Sequence, residues 1–147
     1  MTSDFPLAIG AKVSFSKTVS EFDVYGFAGI TGDFAPNHVN EEYMRESGYG
    51  SRIAHGALLV GYMSTASSKI LDEYARSTPD ETAVSLGYDR VRFLSAVYFG
   101  DTITVNYEVT EIDPQRRRST ATIEVTNQKD ETVAVATHIL KWVPNDG

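Results

Sequence analysis

One segment, HGALLVGYMSTASSKILDEYA (residues 55–75), limits the folds open to this chain more than any other. It is the longest helical candidate, and its first half is apolar or small on nearly every face. That composition is typical of a helix buried on all sides. The second half carries Lys69, Asp72 and Glu73 and is expected to emerge into solvent. The rest of the chain must therefore cover the first half of this helix.

The residues after the helix supply that cover as strands. Four segments are rich in β-branched and aromatic residues, which is typical of strands. They are residues 83–94, 101–112, 117–128 and 131–143. The short connections 113–115 and 128–130 predict that the last three strands pair as an antiparallel meander.

The residues before the helix predict one strand and short helices. Residues 11–20 alternate apolar and polar side chains, as a strand does. Ser20 is predicted to cap a helix that ends at Gly32, and Asn40 to start another short helix. The element order is α+β. The economical packing is a single domain, residues 1–147, in which a curved antiparallel sheet wraps around the long helix.

Composition excludes several classes of function. The 147 residues contain no cysteine, which rules out disulfides, thiolate metal sites and a cysteine nucleophile. The net charge of −7 argues against a nucleic-acid partner. No apolar stretch is long enough to span a membrane, and the N-terminus lacks the pattern of a signal peptide. We therefore expect a cytoplasmic protein with neither a membrane nor a nucleic acid as partner.

The stretch TGDFAPNHVN (residues 31–40) carries the first chemical signal. A turn explains its glycine, aspartate and proline, but a turn has no need of His38. A carboxylate and an imidazole that converge can hold a water molecule and move its proton, so Asp33 and His38 are candidates for acid–base catalysis. On spacing alone, an ordinary loop with an Asx-type turn and a partly exposed histidine is the better explanation, because such pairs are common by chance.

The start of the long helix carries the second signal. Gly56 stands where backbone N–H groups lack intrahelical partners, and such donors stabilise an oxyanion. Ser64 follows two turns later, broadly on the same side of the helix. Taken alone, Ser64 is explained as a small residue that lets the sheet pack close.

The segments ITGDFAPNH, SRIAHGALL and VRFLSAVYFGDTITV together resemble the MaoC-like, (R)-specific enoyl-CoA hydratases of the hot-dog superfamily. The likeness covers about residues 11–143. By this resemblance Asp33 and His38 match the catalytic pair, Gly56 matches the oxyanion-hole glycine, and Ser64 matches an active-site serine. The sequence departs from the family signature Gly-Asp-x-Asn-Pro-aliphatic-His at two positions, Ala35 and Asn37.

The resemblance implies reversible syn hydration of a trans-2-enoyl thioester by a hydro-lyase. Asp33 would accept a proton from water, His38 would deliver one to the α-carbon, and the Gly56 N–H would stabilise the enolate oxygen. It also implies an acyl-CoA substrate and a homodimer. Neither a cofactor nor a metal is expected, coenzyme A being part of the substrate.

Three alternatives stay open at this point. The enzyme could be a dehydratase of carrier-protein-bound 3-hydroxyacyl chains or a thioesterase, or the chain could be a non-catalytic hot-dog subunit or acyl-thioester binder.

A metal site from Asp33, His38 and His55 is conceivable but nothing in the sequence fixes its geometry. His138 is predicted to be a solvent-facing or packed strand residue. Residues 116–118, a run of three arginines, are predicted to be a solvated hairpin end or, with Arg52, Arg90 and Arg92, contacts for coenzyme A phosphates.

Overall fold

A computed structural model describes residues 4–146 of the chain. The predicted domain, residues 1–147, extends over residues 1–3 and 147, which lie outside the described part. The strands are β1 (Lys12–Thr18), β2 (Glu81–Phe93), β3 (Thr102–Asp113), β4 (Arg118–Thr126) and β5 (Thr132–Pro144). The helices are α1 (Glu21–Thr31), α2 (Pro36–Val39), α3 (Glu41–Arg45) and α4 (Gly56–Tyr74).

The five strands form one antiparallel sheet in the order β1-β3-β4-β5-β2. Strands β3, β4 and β5 pair consecutively, which confirms the predicted meander. The early strand β1 pairs with β3 at one edge, and β2 pairs with β5 at the other. Strands that are distant in sequence therefore close the sheet on both sides of the meander.

Helix α4 packs against this sheet and forms the centre of the core. Its buried side chains include Leu59, Met63, Ala66 and Ile70, which recur at helical spacing on one face. They belong to one hydrophobic cluster together with the inward-facing side chains of the strands. The predicted fold class, α+β with an antiparallel sheet around a long helix, is confirmed.

The expectation that the first half of α4 is buried on every side is wrong for the single chain. Ala57, Gly61 and Ser64 are exposed. A single layer of sheet covers one side of a helix, so the opposite side is left with small residues and no cover from this chain.

Within residues 4–146, no helix combines the length and the hydrophobicity that a membrane crossing requires.

Helix α1 has the boundaries that the sequence predicts. The Ser20 side chain accepts from the Asp23 N–H, and the Asp23 carboxylate accepts from the Ser20 N–H, which is a complete capping box. The helix ends at Gly32, whose φ of 85° is the left-handed conformation that glycine adopts without strain. The stretch predicted as a loop after Gly32 contains the short helix α2. Pro36 begins that helix, because its fixed φ suits the first helical position.

His138 lies fully buried in β5. Its ring nitrogens hydrogen-bond the Ser85 hydroxyl at 2.7 Å and the Tyr107 hydroxyl at 2.8 Å. The Tyr88 ring stacks on it at 4.3 Å between centroids. Of the two predicted placements for His138, the packed one is therefore correct. Burial lowers its pKa to about 4.

We expect this histidine to make the fold sensitive to mild acid. Its pKa is depressed in the folded state, so the unfolded chain binds a proton first as the pH falls from 6.5. The free energy of unfolding should then decrease by about 2–3 kcal/mol between pH 7 and pH 4.5. Denaturant titrations at the two pH values measure this change. His138→Gln should show a much smaller change over the same window, and an equal change in both proteins would contradict the assignment.

Candidate functional site

Asp33 and His38 come together at the end of α1. Gly32 terminates the helix, Asp33 follows it, and α2 then carries His38 back beside the carboxylate. A carboxylate oxygen of Asp33 and a ring nitrogen of His38 lie within 4.8 Å of each other. Asp33 is exposed, whereas His38 is 8% exposed. That separation leaves room for a water molecule in contact with both groups.

The hydrogen bonds of His38 fix its orientation and tautomer. Its Nδ1 lies 2.8 Å from the main-chain carbonyl oxygen of Ile53. A carbonyl oxygen only accepts, so Nδ1 carries the proton and donates. In the neutral ring, Nε2 then has a free lone pair, which is the state a proton acceptor needs. Ile53 also donates its N–H to the Asn37 carbonyl at 3.0 Å, so one residue holds α2 at two points.

The Asp33 carboxylate is held by the main chain of its own turn. Its Oδ1 accepts from the Ala35 N–H at 3.3 Å. The main-chain N–H of Asp33 donates to the Thr31 hydroxyl at 3.2 Å, and the main-chain carbonyl of Asp33 accepts from Nε2 of His55 at 2.9 Å. The carboxylate is thus placed by contacts that leave much of it open to a ligand.

Gly56 begins α4 and lines the same cavity as His38. The cavity has a volume of about 430 Å³. Its lining also includes Asn37, Tyr49, Leu59 and Phe93. No side chain caps the helix start, so the first backbone N–H groups are free of that competition. The predicted oxyanion-hole residue is therefore in the same pocket as the predicted acid–base histidine.

A second constraint also requires glycine at this position. A Cβ on Gly56 would lie 2.5 Å from the Cδ2 and Cε2 atoms of the Phe93 ring. Phe93 is half-exposed, at 51%, so its ring has open space beside it. The glycine thus permits both close packing of this ring and close approach of a ligand, and the two explanations need separate tests.

Ser64 lies two turns further along α4 and is not among the residues that line this cavity. It is exposed, and its side chain hydrogen-bonds Tyr88 on β2. Burial raises the pKa of Tyr88, and hydrogen bonds to Ser64 and Ser67 oppose this rise. The predicted catalytic contribution of Ser64 stays a prediction.

His55 joins Asp33 and His38 in a cluster whose ligand-type atoms all lie within 4.8 Å of one another. These are ligand types that divalent transition metals accept. The sequence predicted that the protein works without a metal, and that expectation stays a prediction.

Arg52 forms ion pairs within the protein, which the sequence did not predict. It was a candidate for coenzyme A phosphates, but its guanidinium bonds Glu41 at 2.8 Å and Glu21 at 3.1 Å. It also donates to the Tyr25 hydroxyl and lies 4.6 Å from the centre of the Phe99 ring. Burial lowers the pKa of Arg52, but its bonds to these partners outweigh this and raise it. Arg52 thus links α1 and α3 to the segment before α4, where the Ile53 carbonyl accepts the hydrogen bond from His38.

Two of the three arginines at 116–118 form ion pairs at the end of a hairpin. Arg116 pairs with Asp113 at 3.8 Å, and Arg117 pairs with Glu81. Because these charges have carboxylate partners, they favour the hairpin-end explanation of the run. Contacts to coenzyme A phosphates by Arg90, Arg92 or the run stay a prediction.

A larger cavity, of about 740 Å³, lies away from this site. It is lined by the N-terminal segment 4–6, residues 76–81, Pro114 and Arg117. None of the candidate acid–base and oxyanion residues borders it, although Arg117 of the arginine run does. Size alone would favour this cavity, but the smaller one is bordered by His38 and the start of α4, and the Asp33 carboxylate lies within 4.8 Å of His38.

Comparison with known proteins covers most of the chain. A family model described as MaoC like domain matches residues 4–134. An (R)-specific enoyl-CoA hydratase from Rhodospirillum rubrum is 34% identical over 132 residues, which cover 86% of each chain. A 3-hydroxybutyryl-CoA dehydratase from Methylorubrum extorquens is 35% identical over 113 residues, covering 77% of this chain and 67% of the relative.

Solved structures agree on the fold. An (R)-hydratase from A. caviae involved in PHA biosynthesis superposes with a TM-score of 0.81 over 92% of this chain and 96% of its own, at 24% identity. An R-hydratase from Pseudomonas aeruginosa has a TM-score of 0.73 at 28% identity, over 91% of this chain and 81% of its own. The predicted enzyme class, a hydro-lyase, is confirmed by the hydratase and dehydratase relatives.

We expect Arg52 to stabilise the protein more than an exposed arginine with a single ion pair does. Its side chain is 18% exposed and holds three partners, so Arg52→Met should lower the free energy of unfolding by about 1–3 kcal/mol. Arg45→Met is the matched control, because the Arg45 side chain is 61% exposed and pairs with one exposed glutamate. The control should change stability by less than about 1 kcal/mol. Equal losses in the two variants, measured by denaturant titration, would contradict a special role for Arg52.

Proposed function

Because this chain belongs to the MaoC-like domain family, we propose that it catalyses the reversible hydration of trans-2-enoyl-CoA thioesters to (R)-3-hydroxyacyl-CoA thioesters. The observation that carries the proposal is the approach of Asp33 and His38 to within 4.8 Å. His38 also shares a cavity with the N-terminus of α4. An acid–base pair beside a helix start is what addition of water to a conjugated thioester needs.

In the hydration direction, a water molecule binds between the Asp33 carboxylate and His38. One of the two groups accepts a proton from the water as its oxygen forms a bond to the β-carbon. The other group, which carries a proton beforehand, delivers it to the α-carbon. The proton gained by the first group then passes to the second, so one molecule of water is added in total and both groups regain their starting states. On His38 the exchanging atom is Nε2, because Nδ1 donates to the Ile53 carbonyl. Both groups lie on the same side of the substrate, which gives syn addition.

Between these two steps, negative charge develops on the thioester oxygen as an enolate. The backbone N–H of Gly56 and the positive end of the α4 dipole are the groups we propose for its stabilisation. The absence of a side chain at Gly56 allows the thioester oxygen to approach. The Phe93 ring, which packs on Gly56, would turn aside for a substrate to bind there.

The cavity favours a short or polar acyl group. Asn37 lines it at a position where the family signature has an aliphatic residue. An amide in that wall disfavours a long alkyl chain, because the chain would desolvate it without a hydrogen bond in return. The 3-hydroxybutyryl-CoA dehydratase among the relatives is named for a four-carbon substrate. A preference for long unbranched chains would contradict this part of the proposal.

A homodimer is the assembly we propose. The outer strand β2 and the segment after it expose three large apolar side chains, Leu86, Phe93 and Leu94. Two of these, Phe93 and Leu94, also line the cavity of the site. Association of two copies through this edge would cover apolar surface and border both active sites.

The first test is turnover of crotonyl-CoA, followed as loss of the enoyl-thioester absorbance. Asp33→Asn and His38→Gln should each lower kcat/KM by at least about 10²-fold, because each removes one partner of the proton transfers. Asp72→Asn, an exposed aspartate on α4, is the control and should match the wild type. Thermal melting shows whether each variant is folded. A silent wild type, or a folded Asp33→Asn variant that keeps full activity, would overturn the proposal.

The role of Gly56 can be separated from its packing against Phe93. Gly56→Ala should lower kcat/KM by about 10-fold or more, because its methyl group occupies the approach to the N–H. Gly56→Ala/Phe93→Ala removes the ring that the methyl group would meet, and Phe93→Ala alone is its control. If the N–H binds the enolate, the double variant stays about as impaired as Gly56→Ala. Recovery to the level of Phe93→Ala would show that the glycine serves packing alone.

A further inference from the structure

We propose that His55 is a positioning residue that holds Asp33 and His38 in register with each other; this inference rests on the proposed function. His55 immediately precedes α4, and it is 2% exposed. A polar residue at that position commonly caps the helix with its side chain. The His55 side chain makes no such bond, so its imidazole is used for something else.

One use is a hydrogen bond to the main chain of Asp33. Nε2 of His55 lies 2.9 Å from the Asp33 carbonyl oxygen, and since a carbonyl only accepts, Nε2 carries the proton and donates. The two residues are 22 positions apart in the chain, and this bond links the turn after α1 to the start of α4. It fixes the main chain from which the Asp33 carboxylate projects.

The second use is a stack on His38. The two imidazole rings lie 3.7 Å apart between centroids, with 26° between their planes. Phe27 of α1 packs on His55 as well, at 4.7 Å between centroids. His38 is thus held by the Ile53 carbonyl at Nδ1 and by the His55 ring across its face. A single side chain contacts both members of the acid–base pair.

Packing alone does not explain a histidine here. Nδ1 of His55 is buried without a hydrogen-bond partner among residues 4–146. Burying such a group without a partner lowers stability, and a phenylalanine would fill a similar volume without that cost. The Nε2–H bond to Asp33 is the contact that phenylalanine cannot make. The position therefore gives up stability for control over the place of Asp33, as sites of function commonly do.

Two substitutions separate the contacts of His55. His55→Phe keeps a ring against His38 but removes the donor to Asp33, whereas His55→Gln can keep a donor without the ring. We expect His55→Phe to lower the kcat for crotonyl-CoA by about 10-fold or more, with KM within about threefold, because misplacement affects the transition state more than substrate binding. His55→Gln should keep kcat within about threefold of the wild type. Melting temperatures report whether both variants fold.

A second measurement does not depend on turnover. In ¹⁵N-labelled protein, the amide signals of Phe34 and Ala35, next to the held carbonyl, should move in His55→Phe and stay near their wild-type positions in His55→Gln. Wild-type activity in His55→Phe, equal losses in the two variants, or unmoved amide signals in His55→Phe would each overturn the positioning role. A wild type that does not hydrate crotonyl-CoA, or one whose activity does not depend on Asp33, would instead refute the proposed function. The amide signals would still test the contact.

Discussion

The burial of one face of α4 against the sheet is the constraint on which the site depends. The apolar side chains of that face lie in the same cluster as inward-facing side chains of β1, β3, β4 and β5, and partly buried side chains of β2 pack against it, so the helix cannot shift without opening the core. Its N-terminus is fixed as a result. The segment that leads into it is anchored by the Ala54 N–H, which donates to the Val97 carbonyl at 2.8 Å. The backbone N–H of Gly56 therefore stands at the start of a helix that is packed into the core.

The acid–base pair, by contrast, stands on short elements that have little stability of their own. Helix α2 has four residues and α3 has five, which is far below the length at which an isolated helix persists. Their place is set by contacts to the segment before α4. Arg52 binds carboxylates on α1 and α3, Ile53 bonds α2 at both its N–H and its carbonyl, and His55 reaches Asp33 and His38. Three nearly consecutive residues thus link the start of α4 to the loop that carries the proposed acid–base pair.

The two departures from the family signature are compatible with this arrangement. Ala35 contributes its N–H to the Asp33 carboxylate and its carbonyl to the His38 N–H. Asn37 contributes its carbonyl to the Ile53 N–H. These are main-chain contacts, which any residue other than proline can make at Ala35 and which any residue can make at Asn37. The side chains at both positions are therefore free to vary while the geometry of Asp33 and His38 is kept, which is why the proposal assigns Asn37 to the acyl group rather than to the reaction.

The sequence by itself determined the order of the elements, the meander of the last three strands, the ends of α1 and the candidates Asp33, His38 and Gly56. The elements follow from local rules of periodicity, capping and turn chemistry, which act over a few residues, whereas the three candidates follow from their chemistry together with the resemblance to a known family. It did not determine the exposed side of α4, the burial of His138 beside Tyr107, or the roles of Arg52 and His55. Those depend on contacts between residues far apart in sequence, such as the 22 positions between Asp33 and His55. Only the packing of α4 on the sheet brings such residues together, because burial and hydrogen bonding are decided by neighbours in space.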